Sequence, residues 1–174
     1  MKFIHLTPAL LAAMTIIAMG GALFRADARA DRAAPAPLAL QDSGEKTLLN
    51  VDQSGLALQG YDPVAYFTQS KAVKGDAKIT SSFRGATYRF ASQEHKALFD
   101  ADPAKYEPAF GGYCGFGVSR GYLVEIDPEA FVIQDGRLIL QYSKGVLRDW
   151  KKDPAGYLAK ALRNWPELLK KNGK

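Results

Sequence analysis

One cysteine, Cys114, in 174 residues is the feature that most restricts this chain. No internal disulfide can form, so burial of apolar surface must hold the fold. The means are present. Apolar residues make up 47% of the chain and aromatic residues 11%, too many aromatics for a disordered chain of this charge. The same scarcity limits metal chemistry. The histidines are His5 and His95, and the methionines are Met1, Met14 and Met19. Four cysteines, or two cysteines and two histidines, cannot be assembled around zinc from one such chain. A methionine-rich copper(I) site is excluded from everything beyond Met19. No repeat with a period of about 20 to 50 residues and no heptad run is evident, which removes solenoids and coiled coils.

The N-terminus reads as a targeting segment. Lys2 gives a short basic start, residues 6–24 carry no charge, and Ala28-Arg29-Ala30 fits the small-residue rule for signal cleavage. Residues 1–30 are therefore expected to be a signal peptide, making the folded part an exported, periplasmic or extracellular protein. An uncleaved N-terminal membrane anchor is the alternative, because the apolar run approaches spanning length. Residues 31–46 form an Ala/Pro-rich linker and residues 47–171 one domain. Cleavage after Ala30 leaves 20 basic and 17 acidic side chains, and they are unevenly spread. Residues 144–174 hold nine basic and three acidic groups, whereas 31–143 hold eleven and fourteen. The basic end suits contact with an anionic membrane surface, with a solvated helix face as the plain alternative. Nucleic acid is not an expected partner, since no basic groove with interleaved aromatics is present.

The pattern is α+β. Residues 48–51 suggest a first strand, and 56–67 an edge strand or bend, because Pro63 removes a ladder donor. Residues 78–91 predict a hairpin turning at Gly85, with Phe83, Tyr88 and Phe90 as strand aromatics. Ser92 caps a short helix with Glu94 in its first turn and His95, Leu98, Phe99 and Asp102 along one stripe; Asp102-Pro103 ends it. Residues 131–142 predict a second hairpin around Asp135-Gly136. Its pairing puts Phe131, Ile133, Leu138 and Leu140 on one face and Val132 and Ile139 on the other, so both faces are covered. Asp153, with Pro154 following, caps a C-terminal amphipathic helix with Tyr157, Leu158, Ala161, Leu162 and Trp165 as its apolar stripe. Pro166 is expected to break or kink it, with about one more turn after it.

Three features carry potential chemistry. The glycine-rich run Gly111-Gly112-Tyr113-Cys114-Gly115-Phe116-Gly117 lacks the trailing Lys-Ser/Thr of a phosphate loop, so its glycines read as positive-φ and close-approach positions. Cys114 within it is either a thiolate favoured by exposed backbone N–H groups or a small buried apolar residue. His95 near a helix start favours neutral imidazole, suited to metal ligation or base catalysis, against a core-edge histidine bonded to a carbonyl. A metal site using His95 and Cys114, completed by Asp62 or Glu94, is the richest donor set on offer.

Gly60-Tyr61-Asp62-Pro63-Val64-Ala65-Tyr66-Phe67, Tyr88-Arg89-Phe90-Ala91-Ser92, Phe99-Asp100-Ala101-Asp102-Pro103 and Tyr106 resemble the YHS domain family. Gly111-Gly112-Tyr113-Cys114, Asp127-Pro128, Asp135-Gly136-Arg137-Leu138 and Asn164-Trp165-Pro166 resemble its exported, single-domain branch. The resemblance implies a small α+β fold related to metal-binding treble-clef domains. Relatives in copper-transporting ATPases carry Asp-Pro-Val-Cys and Phe-Cys-Ser-x-x-Cys, with cysteines proposed as metal ligands. Those cysteines fall here at Ala65, Ala91 and His95. The expected function is an exported accessory or binding module for a transition metal ion, with a protein or metal partner. Two alternatives stand beside it: a small thiol-dependent or redox enzyme using Cys114 with His95, and a structural or partner-binding domain.

Overall fold

The computed structural model describes residues 46–174; the signal, anchor and most of the linker readings lie outside them. Two antiparallel hairpins organise this part. In the first, β1 (Asp76–Phe83) turns through Arg84-Gly85 into β2 (Ala86–Phe90); in the second, β3 (Asp127–Gln134) turns through Asp135-Gly136 into β4 (Arg137–Gln141). Helix α1 (Pro63–Thr68) precedes the first hairpin, and α2 (Gln93–Ala101) and α3 (Pro103–Tyr106) follow it. Helix α4 (Gly115–Ser119) precedes the second, and α5 (Lys144–Trp150) and α6 (Pro154–Asn172) follow it. The class is α+β, as the sequence pattern predicts.

The order of elements is the same twice, and so is the detail. Asp76 pairs with Phe90 and Thr80 with Arg89 across a bulge; Asp127 pairs with Gln141 and Phe131 with Leu140 across an equivalent one, a constant offset of 51 residues. Ser92 caps α2 through His95 N–H, and Ser143 caps α5 through Val146 N–H. Asp102 caps α3 through Lys105 N–H, and Asp153 caps α6 through Gly156 N–H. Before the hairpins, Leu58, Gln59 and Gly60 all have positive φ, as do Phe110, Gly111 and Gly112. The described residues are therefore built from two copies of one unit, offset by 51 residues, a period just outside the range of about 20 to 50 in which no repeat is expected. Gly111 illustrates how tightly the turn is built: its φ is +58°, and an added Cβ would meet the carbonyl oxygen of Leu48 at 1.9 Å. The glycines of 111–117 thus serve strained turns and close packing.

Two apolar clusters meet at β4. Leu138 and Leu140 face Val64, Tyr66, Tyr88, Phe90, Phe99 and Tyr106, whereas Ile139 faces Val118, Trp150, Leu158, Ala161 and Leu168. Both faces of β4 are covered, as its alternation predicts, but the expectation for the pair fails on β3 at Ile133, which is 37% exposed. The Tyr66 hydroxyl donates to the Pro128 carbonyl at 3.0 Å, tying the first unit to the second, and burial pushes its phenol well above the usual range.

Several expectations change. Residues 48–51 form no strand; Val51 makes one isolated bridge to Ala57. Pro63 does not interrupt a strand but opens helix α1 as its first residue, where a missing N–H costs nothing. Nothing in the sequence between Tyr142 and Asp153 predicts a helix, yet α5 is there and buries Trp150 completely. Leu98 and Leu162 leave their stripes: they are 39% and 46% exposed. Helix α6 continues past Pro166, which lies on its exposed side, while Trp165 and Leu168 hold the helix to the second cluster.

Leu158→Ala should destabilise the protein by about 2–5 kcal/mol in urea unfolding, and Leu162→Ala by less than about 1 kcal/mol, because only the first empties a packed site. Glu107 supplies a pH signature. Burial raises its carboxyl above the usual glutamate value, with Arg84 at 2.7 Å acting in the opposite direction. The folded state therefore holds this proton more tightly than the unfolded chain. Its contribution is fully present below the ordinary glutamate value and is lost as pH rises through the raised one. Unfolding of Glu107→Gln followed between about pH 4 and 7 should lack that part of the slope.

Candidate functional site

Asp62 ends an extended segment just before Pro63, so its carboxylate falls over the first turn of α1. There Oδ1 accepts from the N–H groups of Val64 at 2.8 Å and Ala65 at 3.3 Å. The end of β2 passes on the other side, where Oδ2 accepts from Ala91 N–H at 2.8 Å and from His95 Nδ1 at 2.6 Å. Asp62 is fully buried and His95 is 9% exposed. Four donors around one carboxylate use its full accepting capacity. The imidazole, held in the first turn of α2 by the Ser92 cap, must donate from Nδ1. In the neutral ring this leaves the lone pair on Nε2, which faces Thr68 Oγ1 at 3.5 Å and Gln69 Nε2 at 3.4 Å, both on the exposed end of α1.

The three positions that the resemblance assigns to ligand cysteines meet here. Ala65, Ala91 and His95 all donate to Asp62. At these positions a carboxylate joins three segments of chain through hydrogen bonds.

Cys114 holds the equivalent place in the second unit. Asp62 N–H donates to Val73 C=O and Cys114 N–H to Val124 C=O. Where Ala91 N–H donates to Asp62, Tyr142 N–H donates to Cys114 Sγ at 3.2 Å. Where Val64 N–H donates to Asp62, Phe116 N–H donates at 3.0 Å to Oε1 of Gln141, a residue standing where the first unit has Phe90. The Cys114 thiol donates to the same Oε1 at 3.4 Å. A sulfur and an amide oxygen thus divide the work of one carboxylate. The arrangement is closed: Cys114 is 1% exposed, Gln141 is fully buried, and Gln141 Nε2 is the one buried side-chain nitrogen or oxygen without a partner among the described residues.

The candidate residues therefore separate. Asp62 and His95 come together. Glu94 points to solvent from the first turn of α2. Cys114 bonds to Gln141 and Tyr142, and no hydrogen bond joins it to His95. Among the described residues no three His, Cys, Asp or Glu side chains gather in a way that could hold a metal ion. The four-residue metal set does not form, because Asp62 has no lone pair to spare and Cys114 is enclosed in the other unit. Sequence reasoning missed Thr68, Gln69 and Gln141. Thr68 and Gln69 follow once Asp62-Pro63 is read as a helix start; nothing in the sequence signals Gln141. Comparison with known proteins gives no match: no family model, curated protein or solved structure aligns significantly with the chain.

Asp62→Ala should cost about 3–5 kcal/mol in urea unfolding, since it leaves buried donors and an imidazole without an acceptor. Glu94→Ala should stay within about 0.5 kcal/mol of the parent.

Proposed function

We propose that this chain is an exported YHS-like binding module rather than an enzyme, and that a transition metal ion engages it through one atom, Nε2 of His95. The 2.6 Å contact between His95 Nδ1 and Asp62 Oδ2 carries the reading. A histidine whose other ring nitrogen donates to a carboxylate is oriented and made more basic for ligation, the usual outer-shell arrangement of metal-bound imidazole. Only one protein nitrogen is offered, so the remaining coordination positions belong to water or to a partner protein. This is the chemistry of an accessory module that meets a metal without enclosing it. The thiol-enzyme reading finds little support, because the Cys114 sulfur is buried and occupied. A structural or partner-binding role without metal is the reading that competes, favoured by the saturated Asp62 carboxylate.

Titrating Co(II) into the full chain and following the His95 ring protons by NMR tests the proposal. Saturable paramagnetic shifts are expected at the His95 ring and at Thr68 and Gln69 beside its Nε2; those at Thr68 and Gln69 should be lost in His95→Ala, and both sets retained in Cys114→Ser and weakened at acid pH as protons compete for the metal ligand. Absence of shifts at the His95 ring, or their loss in Cys114→Ser with the fold intact, overturns the metal reading and leaves the structural one.

A further inference from the structure

Most of helix α6 has no counterpart in the first unit. It starts where α3 starts, on an Asp-Pro cap, but continues for 19 residues where α3 has four. Its inner side is accounted for by Leu158, Ala161, Trp165 and Leu168 against the second cluster. Its outer side carries a row of small and apolar residues at helical spacing, Ala155, Ala159, Leu162 and Pro166, all exposed. Lys160, Arg163, Lys170 and Lys171 all lie to one side of that row, with Glu167 the one acid among them, and the other side of the row borders the packed face at Leu158. None of these four cations forms an ion pair among the described residues. Favourable interaction with the helix dipole accounts for Lys170 and Lys171 in the last turn, and Lys160 Nζ lies 5.5 Å from the centre of the Tyr157 ring, which leaves Arg163 unaccounted for.

The chain ends place this face. Thr47 and Lys174 exchange both backbone hydrogen bonds, and Lys46 Nζ donates to the Lys170 carbonyl at 3.1 Å. The first described residues, Lys46 and Thr47, therefore lie beside the basic end of α6.

We propose that the outer face of α6 rests on an anionic lipid surface, with Leu162 and its small neighbours against the headgroup–acyl boundary and the adjacent cations over lipid phosphates. An apolar strip bordered by lysine and arginine is what an in-plane helix presents to such a surface.

An environment-sensitive fluorophore on Ala159→Cys in the full-length chain tests this, the buried Cys114 leaving the new thiol as the reactive one. Ala104→Cys, in the short first-unit helix α3, is the control. On phosphatidylglycerol vesicles the label at 159 should move to the blue while that at 104 does not. High salt, or the triple change Arg163→Glu, Lys170→Glu, Lys171→Glu, should reverse the shift and weaken the contact by more than about tenfold. A triple variant whose melting transition matches the parent's excludes misfolding as the cause. A label that stays in water on these vesicles overturns the proposal. So does one that shifts equally on phosphatidylcholine, where the apolar N-terminal run alone would bind. A shift without vesicles that grows with protein concentration would point to a second copy of the chain on this face and overturns it as well.

Discussion

The Asp62 carboxylate is the group on which the first unit depends. It has no exposure, and its four donors come from three separate stretches of chain: the first turn of α1, the residue after β2 and the first turn of α2. A carboxylate moved out of water into such a place is costly unless every lone pair is engaged, and here every one is. The contact is therefore cooperative. Removing any one donor weakens a cap or a junction, whereas removing the acceptor undoes all three together. It also fixes which nitrogen of His95 is turned outward, so stability and the proposed binding chemistry rest on the same two oxygens.

The second unit solves the same problem without a charge. Cys114 and Gln141 replace the carboxylate between them, and Val146 stands where His95 stands in the first unit. Gln141 is the less complete substitute, because its amide carries two donors that a carboxylate lacks and its nitrogen finds no acceptor. Cys114 gains its meaning from this comparison. Taken alone, a cysteine beside glycines invites a reactive thiolate; set against Asp62, it is the acceptor that secures the end of β4 to the start of α4.

Local chemistry was readable in the sequence and long-range correspondence was not. Both hairpins, the Ser92 and Asp153 caps and the two-faced burial of β4 follow from turn residues, caps and alternation within a few positions. Asp62-Pro63, Asp102-Pro103 and Asp153-Pro154 all open helices, but each resembles a breaker when its neighbours are apolar and β-prone, as around Pro63. Helix α5 contains Gly145, which weakens its local preference; its stability comes from Trp150 inside the second cluster. The duplication is carried by few identical residues, among them Asp76 and Asp127, Ser92 and Ser143, and Tyr106 and Tyr157. Only the shared register and bulge make it visible. Of the candidate site, Asp62 and His95 were named separately, and folding alone could bring them within 2.6 Å.

The pairing of Thr47 with Lys174 has a mechanical consequence. Force applied through the N-terminal segment first meets these two backbone bonds, then the bonds from Asn50 to Gly111 and Gly112. They lie one after another along the segment, so a pull peels them in sequence instead of loading them together. The buried carboxylate clasp lies behind this seam, at the start of α1. The domain can thus give way by a few residues at its attachment point while the parts that hold His95 stay in register.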